Sequence, residues 1–381
     1  MNHNNLNFRN TQIALVISLA VLSACGKDAP ADNMVDPLNI EDFGTEAIPR
    51  ANVFDVHNAA EWNTATAVIG SSGNNRNYVI NVLDNFSLEG TYASTFGIAT
   101  GIKVSIRGEK KISLNSNGCL LVIYTNQTVI SRETTFEGKD ENELPLVLIM
   151  RGELIMRSGE FSGNSAGGID IRGGSFTMNG GKISGNSAIT SGGVSVLSGS
   201  FTMNGGDIRE NTATNAGSAG GGGGVSVLSG SFTMNGGRIS GNTSKPGGGG
   251  VLVFGGSFTM NSGEIRENTA TGRGGGGVCV LEGSFTMNGG EISGNTANFG
   301  GGVSLYDYTF SKTGLSVICG NSSKTHVDGS DNNTATSADS GSGHAVYVGL
   351  YPNSGKFRDA AAEAGVDMYY NSDTDYAGFE N

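Results

Sequence analysis

The stretch GGVSVLSGSFTMNGGDIRENTA, residues 192–213, decides the fold. Val194 and Val196 alternate with polar neighbours, Phe201 and Met203 do the same, and Ile208 stands shortly before Asn211. Alternation with a period of two marks a strand, because successive side chains leave opposite faces of an extended chain. The three pieces are short and divided by Gly, Asn and Ser. None has room for a hairpin with its own core, so each must pair with the same piece in a neighbouring copy.

Such copies exist. Ser-Phe-Thr-Met-Asn occurs five times, with its phenylalanine at Phe176, Phe201, Phe232, Phe258 and Phe285, spaced 25, 31, 26 and 27 residues apart. A degenerate copy precedes them at Leu154 and a looser one follows near Phe310. A period of this size marks a solenoid. The pattern predicts an all-β chain: a right-handed parallel β-helix, a three-sheet solenoid of about ten coils forming a rod roughly 50 Å long.

Coils stacked at ~4.8 Å put like residues above one another. The five phenylalanines then form an inward column. Asn186, Asn211, Asn242, Asn268 and Asn295 form an asparagine ladder at a turn, each amide satisfying the next. Lys182, Asp207, Arg238, Glu264 and Glu291 form a solvent-facing column whose sign alternates through the first four. Units end alternately in Ile-Ser-Gly-Asn and Ile-Arg-Glu-Asn, which suggests a duplicated two-coil block. Arg209 and Arg266 then sit two coils apart on one face. Insertions fall before the Gly-Gly-Val piece, as in NAGSAGGGGG (215–224).

The flanks are read from the same frame. YVINVL, IKVSI, CLLVIY and PLVLIM, between Tyr78 and Met150, look like diverged coils. NAAEWNTATAVI (58–69) reads as a short amphipathic helix carrying the only tryptophan, Trp62. A solenoid end exposes an open edge and a core, so Trp62 is expected to plug a cap. The resulting division is an N-terminal helical cap at 51–75, the β-helix at 76–350 with tight repeats at 150–325, and a C-terminal cap at 351–381. KFRDAAAEAG (356–365) suggests a helix in that last cap, and seven of the ten tyrosines lie between Tyr306 and Tyr376, read as its hydrophobic filling.

At the start, Ile13 to Leu22 is apolar, too short to span a bilayer but of signal-peptide length, with Arg9 before it. Leu22-Ser23-Ala24-Cys25 resembles the lipobox of bacterial lipoproteins. The resemblance implies that residues 1–24 are a signal peptide and that Cys25 becomes the lipid-modified first residue of the mature chain. Residues 25–50 are rich in acids and carry three of the six prolines, which reads as a flexible tether. Of the other cysteines, Cys119, Cys279 and Cys319, an odd number cannot all pair, and no disulfide framework is expected.

Phe161-Ser-Gly-Asn-Ser-Ala-Gly-Gly-Ile169 resembles the repeats of polymorphic outer-membrane proteins, which carry Phe-x-x-Asn and Gly-Gly-aliphatic motifs. Phe-Thr-Met-Asn with a later Gly-Gly-Val echoes the same pair. More broadly the chain is similar to bacterial β-helix lipoproteins of pectin-lyase-like fold. The first resemblance implies adhesion and the second a cell-envelope address, on the outer membrane or the cell surface. The membrane β-barrel that ends polymorphic outer-membrane proteins is not expected here, since the C-terminal residues show no series of ~10-residue amphipathic strands.

Composition and motifs bound the chemistry. Glycine supplies 63 of 381 residues, roughly a sixth against a usual ~7%, without the period of three that collagen needs. With 35 acids, 23 bases and net charge −12, nucleic acid is not expected as a partner. Asp-Asp pairs and the polygalacturonase-like patterns are absent, and the four histidines are scattered. The Gly-x-Gly strings precede no helix, so they are turns and not phosphate cradles. THVDGSDNN (325–333) gathers His326, Asp328 and Asp331; a calcium site there is conceivable, a surface turn is preferred, and no metal or cofactor is expected. An active site needs unlike residues at one place, whereas the tight units repeat nearly the same side chains. Arg209, Glu210, Arg266 and Glu267 are the best repeated polar candidates for a binding face, against the plainer reading of a solvated salt-bridged surface. The expectation is therefore a non-catalytic, lipid-anchored binding scaffold or adhesin for a glycan or protein. The alternatives are a diverged polysaccharide lyase or glycoside hydrolase with its site in 75–150, or a structural envelope spacer.

Overall fold

The computed structural model describes residues 41–44, 48–214, 220–272, 274–306, 309–312, 316–318, 334–335 and 346–348. All belong to one compact unit, residues 35–381. The expected signal peptide (1–24), Cys25, Cys319, the 325–333 loop, the helix expected at 356–365 and the expected C-terminal cap at 351–381 lie outside the described residues.

The chain winds into a parallel β-solenoid of about ten coils. Among the described residues every paired strand runs parallel to its partner, one coil away. The expected stacking is met position by position: Phe176, Phe201, Phe232, Phe258 and Phe285 register in sequence, with Leu154 before them and Phe310 after. Rings of the five phenylalanines stack at 4.7–4.8 Å between centroids and within 6° of parallel. Met178, Met203, Met234, Met260 and Met287 line the same strands two residues on and are fully buried.

Among the described residues there are three principal sheets, but they are not the three that the sequence suggests. The Val-Ser-Val and Ser-Phe-Thr-Met pieces belong to one 16-stranded sheet. They are continuous in strands such as Val194–Met203, whose two ends pair with separate strands of the next coil, Val225–Val227 and Ser231–Met234. A second sheet of ten strands carries the Asp-Ile-Arg piece, and a third of six two-residue strands carries Thr-Ala, as in Thr212–Ala213. Two residues are too short to show periodicity, which is why this third sheet is hidden in the sequence.

A second correction concerns Phe161. Its register partner is Ile183, and Ile183 pairs with Ile208. Phe-Ser-Gly-Asn thus occupies the Ile-Ser-Gly-Asn position, not the Phe-Thr-Met-Asn one. Phe161 stacks instead on Phe136, at 4.9 Å, in a second inward column.

The helix Ala59–Ser71 packs against the strands Val53–Val56 and Phe86–Leu88. Asn58 caps it, accepting a hydrogen bond from Glu61 N. Trp62 is 3% exposed and packs 6.2 Å from Phe86, inside the main core. The end of the acidic tether does not behave as a tether. Asp42 and Phe43 are buried against the coils, with Phe43 packed on Val79 and Ile130.

Candidate binding face

Arg209 ends the strand Asp207–Arg209, and Arg266 ends Glu264–Arg266. Arg209 registers with Ser240, and Ser240 with Arg266, so the two arginines lie two coils apart in one column. Each arginine turns to its own neighbour. Arg209 Nη1 is 2.6 Å from Glu210 Oε1 and Arg266 Nη2 is 2.9 Å from Glu267 Oε1. The four predicted residues therefore form two separate partly exposed ion pairs. Such pairs contribute about 0–1 kcal/mol and leave a face already neutralised within each coil.

The backbone at this corner explains the alternating unit ends. Glu210 and Glu267 both have φ 57°, and the sister coils place Gly185, Gly241 and Gly294 there at φ 61–63°. The turn demands the left-handed region, which glycine enters freely and a glutamate enters at a cost of about 1 kcal/mol or more.

Beside that corner runs the buried asparagine ladder. Asn211 Nδ2 donates to Asn242 Oδ1 and to Ile183 O, while Asn211 N also donates to Asn242 Oδ1. The same pattern links Asn186, Asn242 and Asn268 to the next coil. Asn164 and Asn142 extend it further than the repeat alone indicates. This ladder is structural: its amides are turned inward and consumed by one another.

The expected charge column is in register from Lys182 to Glu291. Within it Arg238 Nε bonds Glu264 Oε2 at 2.9 Å, and both side chains are nearly half exposed.

What sequence reasoning overlooked is the outer side of the Ser-Phe-Thr-Met-Asn strands. With Phe and Met turned inward, Ser, Thr and Asn point out. They register over five coils: Ser175 to Ser284, Thr177 to Thr286, and a second, exposed asparagine ladder. In that ladder Asn204, Asn235, Asn261 and Asn288 each donate Nδ2 to the Oδ1 of the preceding asparagine at 2.8–2.9 Å. The signal was present in the invariance of the outward letters of the repeat.

Cys119 and Cys279 are free and fully buried, and burial pushes both thiols up to about 12. Among the described residues no cluster of three His, Cys, Asp or Glu side chains is placed to hold a metal ion. A scan against family models, a search of curated proteins and a search of solved structures each return no match.

Proposed function

We propose that this chain is a cell-envelope protein anchored by lipid at Cys25 and that its β-helix is a non-catalytic binding scaffold, an adhesin for a glycan or protein partner. One observation carries the reading. The Ser–Thr–Asn array repeats without change over five coils and bears no charge. Hydrogen bonds between neighbours account for the constancy of the outward asparagines, but the inward Phe and Met satisfy the core whatever stands outside, so packing does not account for the constancy of the outward Ser and Thr. A surface that repeats along an axis suits a partner that repeats too, and a neutral array of hydroxyls and amides suits the hydroxyls of a glycan chain. The ion pairs at Arg209–Glu210 and Arg266–Glu267 are the second candidate face.

The test measures binding of labelled protein to a glycan panel and to envelope or matrix preparations. Thr202→Lys, Thr233→Lys and Thr259→Lys together are expected to abolish binding, whereas Arg209→Ala with Arg266→Ala leaves it within about twofold. Loss only in the arginine variant moves the site to that face. Turnover of any polysaccharide overturns the non-catalytic reading. Loss of detergent-phase partitioning in Cys25→Ser, together with protease shaving of intact cells, tests the anchor and the address.

A further inference from the structure

One outward column changes character along the solenoid. It runs Asp55, Asn81, Arg107, Arg132 in strand register. Hydrogen bonds from Arg157 N to Ser131 O and from Asn179 N to Met156 O carry it onward into the exposed asparagine ladder. Three arginines therefore stand in consecutive coils, at a spacing of ~4.8 Å. Like charges directly across a sheet repel, so an uncompensated arginine ladder is a poor structural choice where the next coils use asparagine.

The compensation comes from over sixty residues upstream in the chain. Asp42, with a side chain 1% exposed, accepts from Arg132 Nε at 3.0 Å and Nη2 at 2.9 Å through Oδ1, and from Ser105 Oγ at 2.6 Å through Oδ2. Arg157 Nε lies 2.8 Å from the same Oδ1, an ion pair outside hydrogen-bond alignment. Glu41 Oε2 meets Arg132 Nη2 at 2.5 Å, and Arg157 Nη2 donates to Glu41 O. Arg107, at the end of the ladder, donates to Asn81 Oδ1 at 2.8 Å. Beside the charges, Phe43 fills an apolar strip of outward side chains, Val79, Ile130 and Ile155.

The polar contacts that hold Glu41 and Asp42 on these coils run through a side chain on one or both sides, and Phe43 packs through its ring. The segment contributes no strand to any sheet, so it can leave without unpairing a coil. Two guanidiniums, a hydroxyl and an apolar strip around a buried carboxylate form a built recognition site, and a fork of two arginines suits a carboxylate better than lysines would.

We propose that the Arg132–Arg157 fork and its apolar strip are a recognition site for an acidic peptide of the form Glu-Asp-aromatic, which the chain fills in cis with its own Glu41–Asp42–Phe43. A partner carrying such a segment binds by displacing it. The cis segment acts at an effective concentration near the millimolar range, so the site is latent until it is released or outcompeted. This depends on neither the lipid anchor nor the repeated face.

The experiment uses a fluorescent peptide spanning residues 38–45 (LNIEDFGT) and the folded protein, by anisotropy. The variant Glu41→Gln, Asp42→Asn, Phe43→Ala, checked for an unchanged β-sheet spectrum, is expected to bind it at least about tenfold more tightly than the unaltered protein. Binding is expected to vanish when the peptide carries Asn for Asp42, and when Arg132→Gln is added to the open variant. If the triple variant does not fold, Asp42→Asn alone is titrated in its place. A folded open variant that binds no peptide, equal binding to open and unaltered proteins, equal binding of the Asn peptide, or failure of both variants to fold overturns the proposal.

Discussion

The two asparagine ladders separate what a residue type does from where it stands. Asn242 is fully buried, and its Oδ1 takes both donors of Asn211, while its Nδ2 serves Asn268 and Ile208 O. Removing it strands groups that no water reaches, at about 1–3 kcal/mol for each. Asn242→Ala is expected to lower unfolding stability by about 3 kcal/mol or more in denaturant titration. Asn235→Ala, in the exposed ladder, should cost no more than about 0.5 kcal/mol, since water replaces its partners. The αL corner gives a finer test. A Cβ at Gly241 meets only Glu210, at 3.9 Å or beyond, so space is not the constraint and φ +63° is. Gly241→Ala should therefore cost about 1 kcal/mol, the left-handed penalty alone. The buried thiols make a third case. With pKa values about 12, Cys119 and Cys279 are almost wholly protonated at pH 8. A thiol reagent is expected to leave both unmodified in the folded protein and to reach them only on denaturation, as peptide mass mapping would read.

At the scale of elements, legibility follows recurrence. The phenylalanine column, the inner ladder and the charge column were readable because each recurs with the period of the coil. The Arg107–Arg132–Arg157 ladder was not, although the arginines are evenly spaced in sequence. The strand ends around them, Ser-Ile-Arg, Ile-Ser-Arg and Ile-Met-Arg, share no other letter pattern, and the acidic partners of Arg132 and Arg157 lie 90 to 116 residues away. The docked segment reads as tether because it is rich in acids and prolines and has no apolar periodicity, whereas a few side chains decide its placement. The Arg132 hydrogen bond and charge hold the Glu41 carboxyl below its ordinary value of 4.5, against a smaller desolvation. A depressed carboxylate contributes stability that is present above the unfolded value and is lost as pH falls through the folded one. Docking of Glu41 is thus expected to be intact at neutral pH and to weaken only below about pH 4.5, where Arg132, Arg157 and Asp42 still face it. Hydrogen exchange of residues 41–43 across pH 3–7 would show this. Weakening on the alkaline side instead would contradict the ion-pair assignment.

For the whole molecule, the coil period has a mechanical consequence. Each coil touches mainly the coils on either side, as the strand registers show, so stability is a sum of coil terms and nearest-neighbour interfaces. Phe232 is sandwiched between Phe201 and Phe258 at 4.7 Å on each side. Phe232→Ala removes both stacks and opens a cavity, at about 3–5 kcal/mol. In a globular core that loss would be felt everywhere at once. Here it should fall on amides of the mutated coil and its two neighbours, roughly residues 194–270, while Val79, Val104 and Ile130, several coils away, keep their protection. The reason is that no interface joins those coils to the cavity except through intact intervening ones. Hydrogen–deuterium exchange with peptide resolution reads this directly. Protection lost evenly from Val53 to Leu305 would mean that the coils open as one body, and the additive picture of the solenoid would have to be given up.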